Sequence, residues 1–356
     1  MKDKPKVLVG MSGGVDSAAA VKILLDAGYA PAGATFLLHD ADAESGAQDA
    51  AEVCAALGVR HFVFDLRKEF STRVIEPFLN SYVAGRTPNP CVECNRTVKF
   101  PELFRKADEY GFPFVATGHY ARTAKRGGRI LLLQGADKKK DQSYVLYNLK
   151  QEELARILFP LGGMTKTRVR AVAEKAGFTK AAAKPESQDI CFIPDGDCAA
   201  FLRSRRPEEI RPGKFLTPDG TIAGEHKGMA CYTIGQRRGL ALAFGKPVYV
   251  TAKDPEANTV TVGGEEYLYA DALTAESVNL ISAEEIPDGM PAQVKIRYSQ
   301  SAGPARLYPA GNGSVRVVFD EARRAITTGQ SAVFYDGETV IGGGVIASVS
   351  GFRSPH

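Results

Sequence analysis

The sequence predicts an α/β domain built on a parallel sheet, followed by two small β-barrel-type domains. Three observations carry this: a strand that runs through a glycine loop into a helix, an alternation of strands and helices behind it, and a change of pattern after residue 206. Short β-branched runs, Val7 to Val9, Pro31 to Leu37, Arg60 to Phe64 and Phe114 to Ala116, alternate with helical stretches Ser17 to Ala27 and Ala47 to Leu57. Strands separated by helices need crossover connections, so the sheet is parallel with helices on both faces. Beyond Arg206-Pro207 and Arg211-Pro212-Gly213 the helical period disappears. Segments Pro247 to Thr251, Thr259 to Val262, Gln293 to Tyr298, Ser314 to Phe319, Ser331 to Tyr335 and Thr339 to Ala347 are short and separated by Gly, Pro, Asn and Asp turns. That spacing fits small β modules. A second boundary falls near Tyr267 to Ala275, giving domains 1–206, 207–270 and 271–356.

Composition sets outer limits. A chain of 356 residues that is 44% hydrophobic can bury a sizeable core. No apolar run approaches the roughly 18–20 residues that span a bilayer, and the start is short and polar, so the expected address is the cytoplasm without membrane attachment. There the six cysteines are reduced, and clustered thiols read as reactive or metal-binding rather than as a disulfide framework. A net charge of +4 permits a polyanionic partner without demanding one.

The strand Val7-Leu8-Val9 leads into Gly10-Met11-Ser12-Gly13-Gly14-Val15-Asp16-Ser17 and an Ala-rich helix. Adjacent glycines let backbone N–H groups converge, and the helix N-terminus adds partial positive charge, which together suit phosphate oxygens. The kinase-type loop GxxxxGK[ST] is absent, for no lysine stands between Lys6 and Lys22. The dinucleotide pattern GxGxxG is absent too. SGGVDS resembles the loop of the ATP pyrophosphatase superfamily, whose members cleave ATP between the α- and β-phosphates. The resemblance implies that Gly13 and Gly14 hold pyrophosphate, Ser12 and Ser17 donate hydroxyls, and Asp16 organises the loop or Mg²⁺.

The cysteines narrow the chemistry. Cys91 and Cys94 stand in TPNPCVECNR, a Pro-rich turn entering a helix, and Cys191 in SQDICFI. A thiolate near a helix start or a cation is nucleophilic, and Arg96 and Lys99 are placed to lower the pKa of Cys94. Cys54 reads as helix-core packing, and Cys198 and Cys231 as structural.

SGGVDS, AGRTPNPCVECNRTVKF, ATGHYAR, KKDQSYVLYNL, SQDICFIPDGD, GEHKGMACYTIGQRRGL and TTGQSAVFYDGE together span nearly the whole chain. In order and spacing they resemble the bacterial tRNA-specific 2-thiouridylases. The resemblance implies an adenine-nucleotide alpha-hydrolase-like N-terminal domain that binds ATP and Mg²⁺ on Gly10 to Ser17, with Phe36 and Gly118 at the adenosine. Asn89, Pro90 and Cys91 border the target base. Cys94 matches the nucleophile and Cys191 the persulfide carrier. His119, Lys140, Asp141, Gln142, Arg297, Tyr298 and Gln330 match tRNA-contacting positions. The implied substrate is uridine 34 of the lysine, glutamate and glutamine tRNAs, supplied with sulfur by a persulfide donor such as a cysteine desulfurase or relay protein. Phe36 stands where relatives often have Met, and Thr328 where they often have Pro.

The chemistry follows from the substrate. The C2 oxygen of uracil leaves only once activated, and adenylation supplies that with release of pyrophosphate. A Cys191 persulfide then delivers sulfur and Cys94 resolves it, either by attack on the inner sulfur or by releasing hydrosulfide first, with Asp189 a candidate base. Backbone contacts to tRNA fall to Lys138 to Lys140, Arg203, Arg205, Arg206, Arg237 and Arg238. An iron–sulfur cluster or zinc on Cys91, Cys94 and Cys191 remains open from the spacing but is not favoured. Two other classes stay in view: an adenylating synthetase for a small molecule, which leaves Cys94, Cys191 and the β modules unused, and a non-catalytic RNA-binding protein with a vestigial loop.

Overall fold

The computed structural model describes residues 4–39, 43–178 and 190–352. Contacts divide them into two compact units, the first Met1–Ile75, Cys91–Phe192 and Gly337–Ile341, the second Glu76–Pro90, Ile193–Asp336 and Gly342–His356.

The first unit opens with β1 (Lys6–Met11), α1 (Val15–Asp26), β2 (Ala30–Leu37), α2 (Ala43–Ala56) and β3 (His61–Asp65). α3 (Arg67–Phe70) ends this run; α4 (Glu76–Val83) belongs to the second unit. Then come α5 (Pro90–Cys94), α6 (Phe100–Glu109), β4 (Phe114–Thr117), the hairpin β5 (Ala121–Arg126) and β6 (Arg129–Gln134), α7 (Gln151–Leu154), β7 (Ile157–Leu158) and α8 (Lys166–Lys175). The sheet is parallel, in order β3-β2-β1-β4-β7, with Val7 opposite both Pro31 and Phe114. Val7, Leu8 and Val9 are wholly buried, as a central strand covered on both faces requires. Ala18, Ala19, Ala20 and Val21 bring α1 close to the sheet and to Val169 and Ala173 of α8. Cys54 is packed in the same core.

The strand order reverses between β1 and β4. The chain moves outward from β1 to β2 and β3, then returns to lay β4 on the other side of β1. Loops leaving the C-terminal ends of β1 and β4 therefore diverge and leave a crevice, where open α/β sheets bind ligands. The phosphate loop and Gly118 stand at these two ends.

In the second unit α4 packs by Phe78 against Phe201 of α9 (Cys198–Arg205), and Arg206 pairs with Glu76. A four-stranded sheet follows in order β10 (Tyr249–Asp254), β11 (Thr259–Gly263), β8 (Gly213–Leu216), β9 (Ile222–His226), over a core of Phe215, Val250 and Val260. The C-terminal module is a closed six-stranded barrel. Its order is β12 (Tyr269–Leu280), β15 (Val315–Arg324), β14 (Gly303–Pro309), β13 (Met290–Lys295), β16 (Ser331–Asp336) and β17 (Thr339–Phe352), and β12 pairs back onto β17. β12 shifts register between Ala270 and Ala272 and again between Glu276 and Asn279. Such bulges bend a long strand enough to pair on both sides of a closed barrel.

Candidate active site

Gly10 and Met11 are the last residues of β1, and Ser12, Gly13 and Gly14 form the loop before α1. Gly14 caps α1 without a side-chain hydrogen bond, so no cap side chain occupies the first N–H groups of the helix. Ser17 ties the loop to the first turn: its Oγ donates to Gly14 O at 3.0 Å and accepts from Ser12 N at 3.3 Å. Gly13 has φ +72°, and a Cβ there would lie 2.5 Å from the Gly46 carbonyl oxygen. Gly118, just past β4, approaches so closely that its Cβ would lie 3.0–3.1 Å from Asp16 and the Ser17 nitrogen. Phe36 follows Thr35, the partner of Met11 in the sheet, so it too stands at the C-terminal end, 6.1 Å from the Phe64 ring. Asp16 does not face open solvent alone. Tyr120 donates its hydroxyl to Oδ1 at 2.7 Å, and Lys166 Nζ lies 2.8 and 2.7 Å from the two carboxylate oxygens. Neither partner is visible in the local motif.

The cysteines meet at a second part of the same unit. α5 carries Cys91 and Cys94, then a π-helical turn, Asn95–Lys99, intervenes before α6. A turn closed from i to i+5 brings the fifth residue back over the first, which returns Lys99 to the side of Cys94. Lys99 is the cation common to Cys91, Cys94 and Cys191. Cys91, Cys191 and Lys99 are open to water while Cys94 is 5% exposed. Burial pushes the Cys94 thiol up to about 12 against the opposing pull of Lys99. Partial desolvation by the surrounding chain also raises Cys191, although water still reaches it, and Lys99 again opposes the shift.

This corrects one expectation: the resting Cys94 is a protonated thiol. Of its two expected activators only Lys99 acts, because Arg96 is spent on Glu93 at 2.6 Å. Asn95 anchors the turn through Nδ2 to Val145 O at 3.1 Å. His119 pairs its Nδ1 with Thr117 Oγ1 at 2.8 Å and lies 5.8 Å from the Phe100 ring. Burial, reinforced by Lys99, pushes its pKa down to about 3, so the imidazole is neutral. Among the described residues no group of three or more His, Cys, Asp or Glu is arranged to hold a metal ion. Ser187, Gln188 and Asp189 lie outside the described residues.

The expected tRNA positions differ in what they can offer. Asp141 is buried, and its carboxylate accepts from Gly135 N at 2.9 Å, Ser143 N at 3.1 Å and Ser143 Oγ at 2.9 Å. Gln142 exchanges two 3.0 Å bonds with the Tyr120 backbone. Both thus organise the turn that presents Lys140. In the second unit the Arg297 guanidinium donates to Thr327 Oγ1 at 2.5 Å, Ile234 O at 3.2 Å and Ala325 O at 3.3 Å. Tyr298 is 43% exposed beneath the Lys295 ammonium. Gln330 donates Nε2 to Thr87 O at 2.8 Å and Pro88 O at 3.3 Å, holding the backbone that leads into Asn89 and Pro90. Gln330 and the Asn89-Pro90 segment, far apart in sequence, are therefore neighbours.

Three family models match in succession: a "tRNA methyl transferase HUP domain" over residues 5–195, a "tRNA methyl transferase PRC-barrel domain" over 199–264, and an "Aminomethyltransferase beta-barrel domain" over 270–346. The tRNA-specific 2-thiouridylase MnmA of Clostridium botulinum (strain Eklund 17B / Type B) is 44% identical over 97% of this chain and 99% of its own length. This chain belongs to the tRNA-specific 2-thiouridylase family. The family member from Acetivibrio thermocellus is 45% identical over 96% of this chain and 99% of its own. Among solved structures, a 4-thiouridine synthetase–RNA complex with bound ATP is similar with TM-score 0.39 and 19% identity, covering 58% of this chain and 51% of that one. No helix among the described residues is long and apolar enough to cross a membrane.

Proposed function

We propose that the protein uses ATP to activate the 2-oxygen of a wobble uridine in tRNA and replaces it with sulfur carried on Cys191. The observation that carries this reading is the gathering of Cys91, Cys94 and Cys191 around Lys99, in the unit that also holds the phosphate loop. ATP lies on Gly10 to Ser17, and Asp16, whose carboxylate takes Tyr120 and Lys166 here, would be the loop's own ligand for Mg²⁺, which would supply charge neutralisation at the phosphates. The substrates are the lysine, glutamate and glutamine tRNAs, and a persulfide donor reloads Cys191. The division at 206 and 270 separates the activating domain from two β modules that grip tRNA, in the cytoplasm. Methyl transfer, the reaction in the family-model description, would leave a pyrophosphate loop and three thiols idle.

The uracil O2 attacks the α-phosphorus of ATP, and the bond to the β-phosphate oxygen breaks with its electron pair leaving on pyrophosphate. The terminal sulfur of the Cys191 persulfide adds to C2, and AMP departs with the C2–O electron pair. Cys94, as thiolate, attacks the Cys191 sulfur; the S–S bond breaks and its pair goes to the sulfur now on C2. A Cys94–Cys191 disulfide remains, and an external dithiol reduces it. Lys99 compensates the thiolate at each of these stages.

The test is reconstitution. Protein, ATP, Mg²⁺, a persulfide donor and unmodified tRNA should give 2-thiouridine with AMP and pyrophosphate in equal amounts. Formation of ADP and phosphate instead would refute the activation step. Thiolation that requires bound iron would replace the metal-free reading.

A further inference from the structure

The loop between β15 and β16, residues 325–330, leaves the barrel to grip a segment 243 positions away. Thr87 N donates to Thr328 O at 2.9 Å, and Gln330 returns its Nε2 to Thr87 O at 2.8 Å and Pro88 O at 3.3 Å. Between these contacts lies Gly329, at φ +89°, where a Cβ would stand 3.0–3.1 Å from Thr87 N, Thr87 C and Arg86 Cβ. The two backbones therefore approach about as closely as a glycine allows. The loop is itself held at both ends. Gly329 N donates to Ile346 O and Ile346 N to Gln330 O, each at 2.8 Å, which ties the loop to β17. At the other end the Arg297 guanidinium clamps Ala325 O, Thr327 Oγ1 and Ile234 O. Ala325 is 2% exposed and has φ +55°, a conformation that a non-glycine residue keeps only where its surroundings impose it. On the receiving side, Pro88 and Pro90 have a fixed φ and no N–H, so the short run from Thr87 to Pro90 has little freedom once Thr87 is tied.

We propose that this loop sets the position of the target base, with Gln330 as a positioning residue that acts on Asn89 and Pro90 through the Thr87 and Pro88 carbonyls. The inference rests on reading Asn89 and Pro90 as the border of the target base. The resemblance puts Gln330 and Arg297 among tRNA-contacting positions, yet the Gln330 amide nitrogen is committed to two protein carbonyls and the Arg297 guanidinium to three protein oxygens. What Gln330 contributes is therefore where the base is held rather than how tightly the RNA is bound. Affinity for tRNA is spread over many contacts to the phosphate backbone. In-line attack of the uracil O2 on the α-phosphorus depends on one distance and one direction, and a misplacement of about 1 Å costs on the order of 100-fold in rate. A barrel that grips tRNA and also holds the base segment registers both against the same strands, so recognition and chemistry share one frame.

The test separates binding from rate on the full chain: tRNA Kd by fluorescence anisotropy, and the single-turnover rate of tRNA-dependent pyrophosphate formation at saturating tRNA and ATP. Gln330→Met keeps the length of the side chain and removes the donor. Gly329→Ala presses a methyl group toward Thr87 and deletes no group that could touch RNA, so it separates positioning from contact. Both variants should lower the saturated rate by roughly 10- to 100-fold and leave tRNA Kd within about threefold. Thermal melts confirm that each variant is folded; should Gly329→Ala fail to fold, Gln330→Met carries the same comparison. A loss of tRNA affinity of about tenfold or more in Gln330→Met, or a saturated rate unchanged in that variant, would overturn the proposal. Asn89→Ala serves as the reference for the base segment. An unchanged saturated rate in Asn89→Ala would refute the reading of that segment itself, whereas a loss there with none in Gln330→Met would count against the loop alone.

Discussion

Replacing Gly13 by alanine tests the geometry of the loop against an internal reference. Gly13 and Gly28 both have positive φ, +72° and +84°. An alanine in that region costs about 1–2 kcal/mol of backbone strain at either place, which lowers Tm by about 2–8 °C in a domain of this size. Beyond this shared cost the two sites differ. The added Cβ at position 28 meets nothing within 4 Å, whereas at position 13 it sits 2.5 Å from the Gly46 carbonyl and must retreat to the ordinary 3.4 Å. Gly46 is inside α2, where its backbone cannot yield without breaking the helix, so the loop is what moves, by about 0.9 Å if the whole difference is taken up there. Hydrogen bonds to phosphate weaken steeply outside roughly 2.7–3.2 Å. Losing two such charge-assisted bonds at about 1.5–3 kcal/mol each gives at least about a 100-fold loss of ATP affinity. Calorimetric ATP titration and thermal melts on both variants provide the measurement. Gly28→Ala should melt earlier and bind ATP normally; Gly13→Ala should do both worse. ATP affinity within twofold of normal in Gly13→Ala would refute the account of the loop.

Other outcomes follow from the thiols and the lysine turn. Because ionised Cys94 is the minor form well below its pKa of about 12, its iodoacetamide alkylation, mapped by mass spectrometry, should rise about tenfold per pH unit from pH 7 to 10. Lys99→Met should lower the rate throughout that range, and a plateau below pH 9 would contradict the assignment. Cys191→Ser should abolish thiolation while tRNA-dependent pyrophosphate release persists, read by a coupled phosphate assay. Asp141→Ala should cost about 2–4 kcal/mol in denaturant unfolding, since three donors lose their acceptor. Lys140→Glu should leave unfolding within about 0.5 kcal/mol but weaken tRNA binding and reduce its salt slope by about one.

The parts of this protein that are local in sequence were legible. SGGVDS announces a loop because glycines, serines and helix start are contiguous, and the flanking β-branched runs announce the buried parallel strands. Strands β5 and β6 carry no strand signal although Gly127-Gly128 marks a hairpin, because ARTAKR is polar on both faces. β12 has the sequence character of a boundary, because its bulges interrupt the two-residue period. The Asp16–Lys166 pair, the burial that protonates Cys94, and the π-helical turn that returns Lys99 to it depend on the fold, and no spacing rule announces them. Among the expected tRNA positions, sequence could not separate the buried Asp141 from its half-buried neighbour Lys140 in the same turn.

Residues Gly337–Ile341 come from the far end of the chain yet belong to the first unit. Thr339 pairs with Leu133 on β6, Glu338 O accepts from Gln134 N at 2.8 Å, and the Glu338 carboxylate takes Arg122 and Lys138. A ribosome makes residues 121–138 first and the strand that finishes their edge about 200 residues later. At roughly 5–20 residues per second, the β5–β6 hairpin waits some tens of seconds with that edge unpaired. The first unit therefore cannot be completed before the last module has been translated, and a chain truncated in the barrel lacks part of its activating half as well.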